Sequence, residues 1–189
     1  RNYLRGFGYQ GSASRDGWNR NIAEMGIGAG LKDAIVEPGG WRIGMTAFGE
    51  MLPHHDNRIF LNKDKKDKWG LPVLEMDVEI KENEIAMRKD MKDDAVEMFE
   101  RAGLKNVRGY EGDYAPGMGI HEMGGARMGR DPKTSVTNKF NQVWDAPNVF
   151  MTDGACMTSA SCVNPSLTYM ALTARAANYA VEELKKRNL

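Results

Sequence analysis

Two cysteines, three histidines and no net charge leave few places in this 189-residue sequence for an obvious chemical signature. Twenty-six basic residues balance twenty-six acidic ones, and no face-sized block of one sign occurs. A nucleic-acid footprint and an anionic-membrane patch are therefore not indicated. No apolar run approaches the roughly 20 residues a membrane helix needs, and Arg1 to Phe7 lack the apolar core of a signal peptide. Cys156 and Cys162 could pair, but no C-x-x-C serves zinc or redox work, and buried apolar thiols are the expected state. The adjacent His54-His55 follows Pro53 in a turn-like stretch, where neighbouring side chains point apart and chelate poorly. Neither a G-x-S-x-G elbow nor a spaced His/Cys cluster is present, which sets hydrolases and metal enzymes aside.

What is there is ordinary globular usage, 41% hydrophobic and 28% charged, so the chain should fold. Residues 1 to 80 carry short apolar runs, among them Trp41–Phe48 and Arg58–Leu61, broken by Pro38-Gly39-Gly40, Pro53 and Asp56-Asn57. That punctuation predicts strands joined by turns, with Lys63–Lys68 as a solvated loop. From Glu82 to Ala102 apolar residues sit among charges without proline, and Gly103 stands where a helix would end. Gly109 to Asp131 holds seven glycines and no period, an ordered loop in which the backbone approaches something closely. Asn148–Thr152 is expected as a short buried strand. After it Leu167, Met170, Ala171, Ala174, Ala177, Val181 and Leu184 recur at helical spacing behind Asn164-Pro165, with Lys185 to Arg187 at the negative end of the dipole.

Two residues stand out as chemistry. His121 heads the run His121-Glu122-Met123-Gly124-Gly125-Ala126-Arg127-Met128-Gly129, and an imidazole titrates near neutral pH, so it can take a hydroxyl proton and return it. Alone, such a histidine is more often structural. Asn164 opens Val163-Asn164-Pro165-Ser166-Leu167-Thr168, where its ordinary reading is a helix cap. The two runs, with Ser135-Val136, Pro147-Asn148-Val149-Phe150 and Asp153-Gly154-Ala155 between them, resemble the C-terminal signature of the glucose–methanol–choline (GMC) oxidoreductases. The likeness is dense over residues 120 to 184.

The resemblance implies an α+β fold: a mainly antiparallel sheet with flanking helices over 1–120, the substrate-binding domain. Residues 121–189 would then supply the last strand and helix of a Rossmann-like FAD-binding domain. It implies His121 as catalytic base and Asn164 as its partner. Asp153, Gly154, Asn164, Pro165 and Ser166 would lie along the FAD, the first two at the pyrophosphate through the backbone. Asparagine in the partner position is similar to the sugar and polyol dehydrogenases of the family. The implied reaction is oxidation of a CH–OH group of a sugar or polyol, with electrons passing to a protein or quinone acceptor and use of oxygen left open. The G-x-G-x-x-G that cradles a pyrophosphate is missing: Gly26-Ile27-Gly28-Ala29-Gly30-Leu31 puts leucine in the third glycine's place and is expected as a loop. The chain also begins at Arg1 rather than at methionine. It is accordingly expected to be part of a longer protein whose upstream region holds most of the FAD, and to be inactive alone. The compartment is not fixed by the sequence; relatives by resemblance point to the periplasm. The competing reading is a non-catalytic binding or assembly module, in which His121 and Asn164 are merely structural.

Overall fold

The computed structural model describes residues 1–17, 27–112 and 114–189, and the chain divides into a smaller unit, Tyr9–Phe48, and a larger one, Arg1–Gly8 with Gly49–Leu189. Among the described residues ten elements follow one another: β1 (Phe7–Arg15), α1 (Ala29–Val36), β2 (Trp41–Gly49), β3 (Arg58–Lys66), β4 (Pro72–Asp77), α2 (Glu82–Arg101), β5 (Gln142–Val143), β6 (Ala146–Phe150), a 3₁₀ turn (Gly154–Cys156) and α3 (Ser166–Lys185). The strands pair two by two, β1 with β2, β3 with β4 and β5 with β6. The architecture is thus α+β with small antiparallel sheets.

In the smaller unit the Asp16 N–H donates to Gly40 O at 2.9 Å, closing one end of the β1–β2 ladder. Arg42 Nε and Asp16 Oδ1 lie 2.9 Å apart beside it. Gly11 faces Gly44 so closely that a Cβ would come within 2.6 Å of its carbonyl oxygen. The glycine-rich stretch near residue 28 is not the loop its composition suggests. Gly26 lies outside the described residues, Gly28 takes φ +82, and the chain is helical from Ala29. Glycine's access to the left-handed region makes that abrupt helix entry inexpensive.

In the larger unit β3 and β4 form a hairpin with Ile59 opposite Met76 and Leu61 opposite Leu74. The lysine-rich stretch is only partly a loop: β3 runs to Lys66, opposite Pro72, and the reversal occupies the residues after it. There Asp67 Oδ1 accepts from both the Trp69 and Leu71 N–H groups at 2.9 Å, and Gly70 sits at φ +87. The side chain mimics a backbone turn, which is why aspartate and glycine mark the position.

Helix α2 covers the predicted span. Glu84, in its first turn, reaches back to the Lys81 N–H at 3.3 Å, one arm of a capping box. At the other end Gly103 has φ +80, the Leu104 N–H donates to Phe99 O at 3.1 Å and the Gly103 N–H to Glu100 O at 2.9 Å, a Schellman closure. Met87 is its buried anchor, 2% exposed, and Gly49 packs on it with no room for a Cβ. Strand β6 departs from expectation. It is paired, but Pro147, Asn148 and Val149 are exposed, because its one neighbour is the two-residue β5 and no second layer covers it among the described residues.

Candidate functional site

His121 follows a segment of strained backbone. Gly117 and Gly124 take φ +90, and between them the β-branched Ile120 takes φ +69, which is rare for such a residue. Glu122 folds back to accept the Gly119 N–H at 2.6 Å. The His121 ring is half-buried and has no hydrogen-bond partner among the described residues. Directly after it the chain is fixed by backbone bonds: the Ala126 N–H donates to Ala155 O at 2.9 Å and the Met128 N–H to Cys156 O at 2.8 Å. On the other side Gly129 N–H donates to Thr137 O, and Val136 N–H to Arg127 O. The histidine run is therefore stitched to the Asp153-Gly154-Ala155 run, some 30 positions on.

Asp153 uses its side chain locally, accepting the Ala155 N–H at 2.8 Å, so the turn is held by its carboxylate. Gly154 is buried, and a Cβ there would come within 2.8 Å of Tyr169 Oη and 2.9 Å of Met123 Sδ. Tyr169 Oη in turn donates to Met123 Sδ at 3.4 Å, and Thr173 Oγ1 donates to Thr152 O at 3.0 Å. The turn thus sits between the histidine loop and α3. Burial, reinforced by Asp153, raises the Tyr169 phenol above its ordinary pKa, so it stays a donor at neutral pH.

Behind the turn lies Asn141, fully buried with φ +64. Its amide donates to Met151 O at 2.8 Å and to Cys156 Sγ at 3.2 Å. Its carbonyl oxygen accepts from the Arg175 guanidinium of α3 at 3.2 Å. Both cysteines are free. Cys156 also donates to Asp153 O at 3.1 Å, and burial first, then Asp153, pushes its thiol pKa up.

Asn164 is exposed and its side chain has no hydrogen-bond partner among the described residues. The helix-cap reading of it does not hold. The capping position is Pro165, whose carbonyl takes the first helical bond from Tyr169 N–H at 3.1 Å, and no side chain caps α3. Its first turn carries no acidic residue, so the N–H groups at its start remain available to a ligand carrying negative charge. The loop before Asn164 is anchored by Ser159 Oγ, which donates to Glu50 Oε1 at 2.5 Å. Pro165 is buried, whereas Ser166 is exposed.

The structure therefore brings together Met123 of the histidine run, Gly154 and the first turns of α3. No hydrogen bond joins His121 to Asn164 among the described residues. A shallow groove of about 550 Å³ lies elsewhere, lined by the stacked rings of Phe140 and Tyr179 with Arg175 and Lys186. His54 Nε2 lies 3.2 Å from Glu84 Oε2, and among the described residues no three His, Cys, Asp or Glu side chains converge as metal ligands. No helix among them is long and apolar enough to cross a membrane. Sequence reasoning missed Asn141, Tyr169, Glu50 and Ser159. Only Asn141 carried a local signal, asparagine's tolerance of the left-handed region.

A stitched histidine loop, a glycine turn with no room for a side chain and an uncapped helix start thus meet in one part of the fold. The chain belongs to the GMC oxidoreductases, whose family model matches residues 53–173. It is 41% identical to the 2-methyl-1,2-propanediol dehydrogenase of Mycolicibacterium austroafricanum over 70% of this chain and 24% of that protein. It is 31% identical to the fructose dehydrogenase large subunit of Gluconobacter japonicus over 95% of this chain and 32% of that one. The gluconate 2-dehydrogenase flavoprotein of Pantoea cypripedii is likewise 31% identical, over 77% of this chain and 25% of its own length. The chain spans a quarter to a third of these relatives.

Proposed function

We propose that this chain is the C-terminal portion of an FAD-dependent dehydrogenase that oxidises a CH–OH group of a sugar or polyol, with His121 as the base. The observation that supports the reading is that three sequence-distant runs meet at Met123, the Gly154 turn and the first turns of α3, while the side chains of His121 and Asn164 are unpaired among the described residues. Such groups are free to meet a substrate. The imidazole of His121 takes the proton of the substrate hydroxyl, and the Asn164 amide hydrogen-bonds the same oxygen and orients it. The names of the relatives, a diol, a sugar and a sugar-acid dehydrogenase, support the substrate class.

The donor set fits FAD in two respects. At the Gly154 turn no side chain fits, and the exposed Thr152 and Asp153 beside it are where a pyrophosphate would lie. The start of α3 keeps its N–H groups uncapped, and with the positive end of the dipole they favour negative charge on the ring's pyrimidine edge. When bound, FAD supplies the hydride acceptor. Residues 1–120 are then the substrate-binding part and 121–189 complete the FAD-binding part, joined in the whole protein by an upstream region. An electron-acceptor protein is the further partner, and the isolated chain is inactive.

The test uses the protein with its natural upstream region. Its flavin absorbance is followed on adding fructose, gluconate, 2-methyl-1,2-propanediol and other polyols, for wild type and His121→Ala. Bleaching in wild type that slows by about 10²- to 10⁴-fold in the variant, with FAD retained, is the expected result for loss of a general base. A protein holding no flavin, or a variant bleached as fast as wild type, refutes the assignment and leaves the assembly-module reading.

A further inference from the structure

Resting on that functional reading, we propose that Glu50 and Ser159 are positioning residues that set the place of Asn164 against His121. Asn164 ends an irregular loop, residues 157 to 163, that has no helical or strand bonds of its own. Beyond the Met157 N–H bond to Gly154 O at 3.0 Å, which closes the 3₁₀ turn, three contacts hold this loop. The carbonyl of Thr158 lies against Gly124, where a Cβ would be 3.3 Å from it and φ is +90. Cys162 Sγ lies against Gly8, at 3.0 Å from where a Cβ would stand. Both are close approaches without directional bonding. The third is the Ser159 Oγ to Glu50 Oε1 hydrogen bond of 2.5 Å, spanning 109 positions, the loop's one side-chain hydrogen bond among the described residues.

Its chemistry suits that task. A hydroxyl donating to a carboxylate makes a short, charge-assisted bond, about twice as strong as a neutral one. Glu50 is itself held, with its side chain 19% exposed, its N–H donating to Gly6 O at 3.1 Å and Arg5 Nε 3.6 Å from its carboxylate. The carboxylate thus belongs to the frame at the end of β2, and Ser159 to the movable loop. Gly124, three residues after His121, touches the same loop one residue before Ser159. A shift of the Ser159 anchor is therefore felt on both sides of the site, and a misplacement of about 1 Å can cost on the order of a hundredfold in rate.

The experiment uses the protein with its upstream region and the variants Ser159→Ala, Glu50→Gln, their combination and Ser159→Thr. Three quantities are read: the rate of flavin bleaching by a sugar, the KM for that sugar, and hydrogen exchange of peptides covering 157–164. Ser159→Ala is expected to slow bleaching by about tenfold, a partial misplacement on the scale above, with KM and FAD content unchanged and exchange of the loop faster. The double variant is no slower than Ser159→Ala, since both remove one interaction, and Ser159→Thr restores what Ser159→Ala loses. Equal bleaching and equal exchange in Ser159→Ala and wild type overturn the proposal. So does a loss of rate accompanied by loss of FAD and not restored by threonine, which marks a general structural role. If no sugar bleaches the wild type, the functional reading fails; unchanged exchange in Ser159→Ala then removes the clamp as well, and faster exchange keeps it.

Discussion

Asn141 offers the sharpest test of how the site is built, because its backbone and side-chain roles can be separated. Its amide satisfies Met151 O and Cys156 Sγ, and it receives Arg175, while its φ of +64 demands a residue at ease in the left-handed region. Replacement by glycine removes the side chain and keeps the conformation. Arg175 is exposed and rehydrates, and Cys156 keeps its bond to Asp153 O, so the main loss is a donor to Met151 O plus a small void. One stranded acceptor costs about 1–3 kcal/mol, which places Asn141→Gly near 2 kcal/mol. Replacement by alanine has the same losses and adds about 1 kcal/mol for a Cβ in the left-handed region, giving about 3 kcal/mol. Urea unfolding followed by tryptophan fluorescence measures both. Trp144 is the local probe, its Nε1 donating to Ser135 Oγ at 3.0 Å. Alanine must be the worse of the two. If glycine is equally or more destabilising, the conformational argument fails, and if both cost less than about 0.5 kcal/mol, a typical surface-mutation range, the buried network holds nothing.

Glu84 and Gly154 give two further outcomes. Burial opposes ionisation of Glu84, but the Leu52 N–H, His54 and Asn83 outweigh it and hold its pKa below the ordinary value. The stabilisation is then complete above the unfolded pKa of about 4.3 and is lost as pH falls through the lower folded pKa. Glu84→Gln should lower Tm at pH 7 by the loss of about 1–2 kcal/mol, with the gap to wild type closing below pH 4 in a pH series of melts. A gap that persists unchanged at pH 3 contradicts the charge-based account. Gly154→Ala forces a methyl against Tyr169 Oη and Met123 Sδ; overpacking of this kind costs about 1–3 kcal/mol. Thermal melts and FAD titration of the protein with its upstream region should both weaken, and an unchanged melt would mean the turn has slack that the contact distances deny.

The elements legible in the sequence were those whose signals are local. Helix α2 announced itself through its charged, proline-free span and through Gly103, whose left-handed φ closes it. The residues around His121, Asp153 and Asn164 could be read together because their order and spacing carry a family pattern. Where expectation failed, the deciding partner was distant. Lys63 to Lys66 look like a solvated loop, but β3 continues through them to Lys66, which pairs with Pro72 on β4 across an irregularity in the register. Asn164 has a capping side chain, yet the helix starts at Ser166, so the residue before it is too far out to reach the free N–H groups. Glu50 and Ser159 had no signal at all, being ordinary polar residues 109 positions apart.

Helix α3 shows the same limit from the other direction. The period read from its sequence, Leu167, Met170, Ala171, Ala174, Ala177, Val181 and Leu184, is real, but all seven are exposed. The face that packs against the chain's own 3₁₀ turn and aromatic stack is the other one, Tyr169, Thr173, Ala176 and Tyr179. A helix apolar on both sides belongs in the interior of a larger protein rather than on a surface. Burying each exposed leucine, methionine or valine would contribute about 1.5–3 kcal/mol, a stabilisation the described residues leave unrealised. The relatives, three to four times as long as the matched stretch, have chain enough to provide that cover. The uncapped start of α3 is the end of this same helix, so what covers its stripe also sets how rigidly its N–H groups are presented.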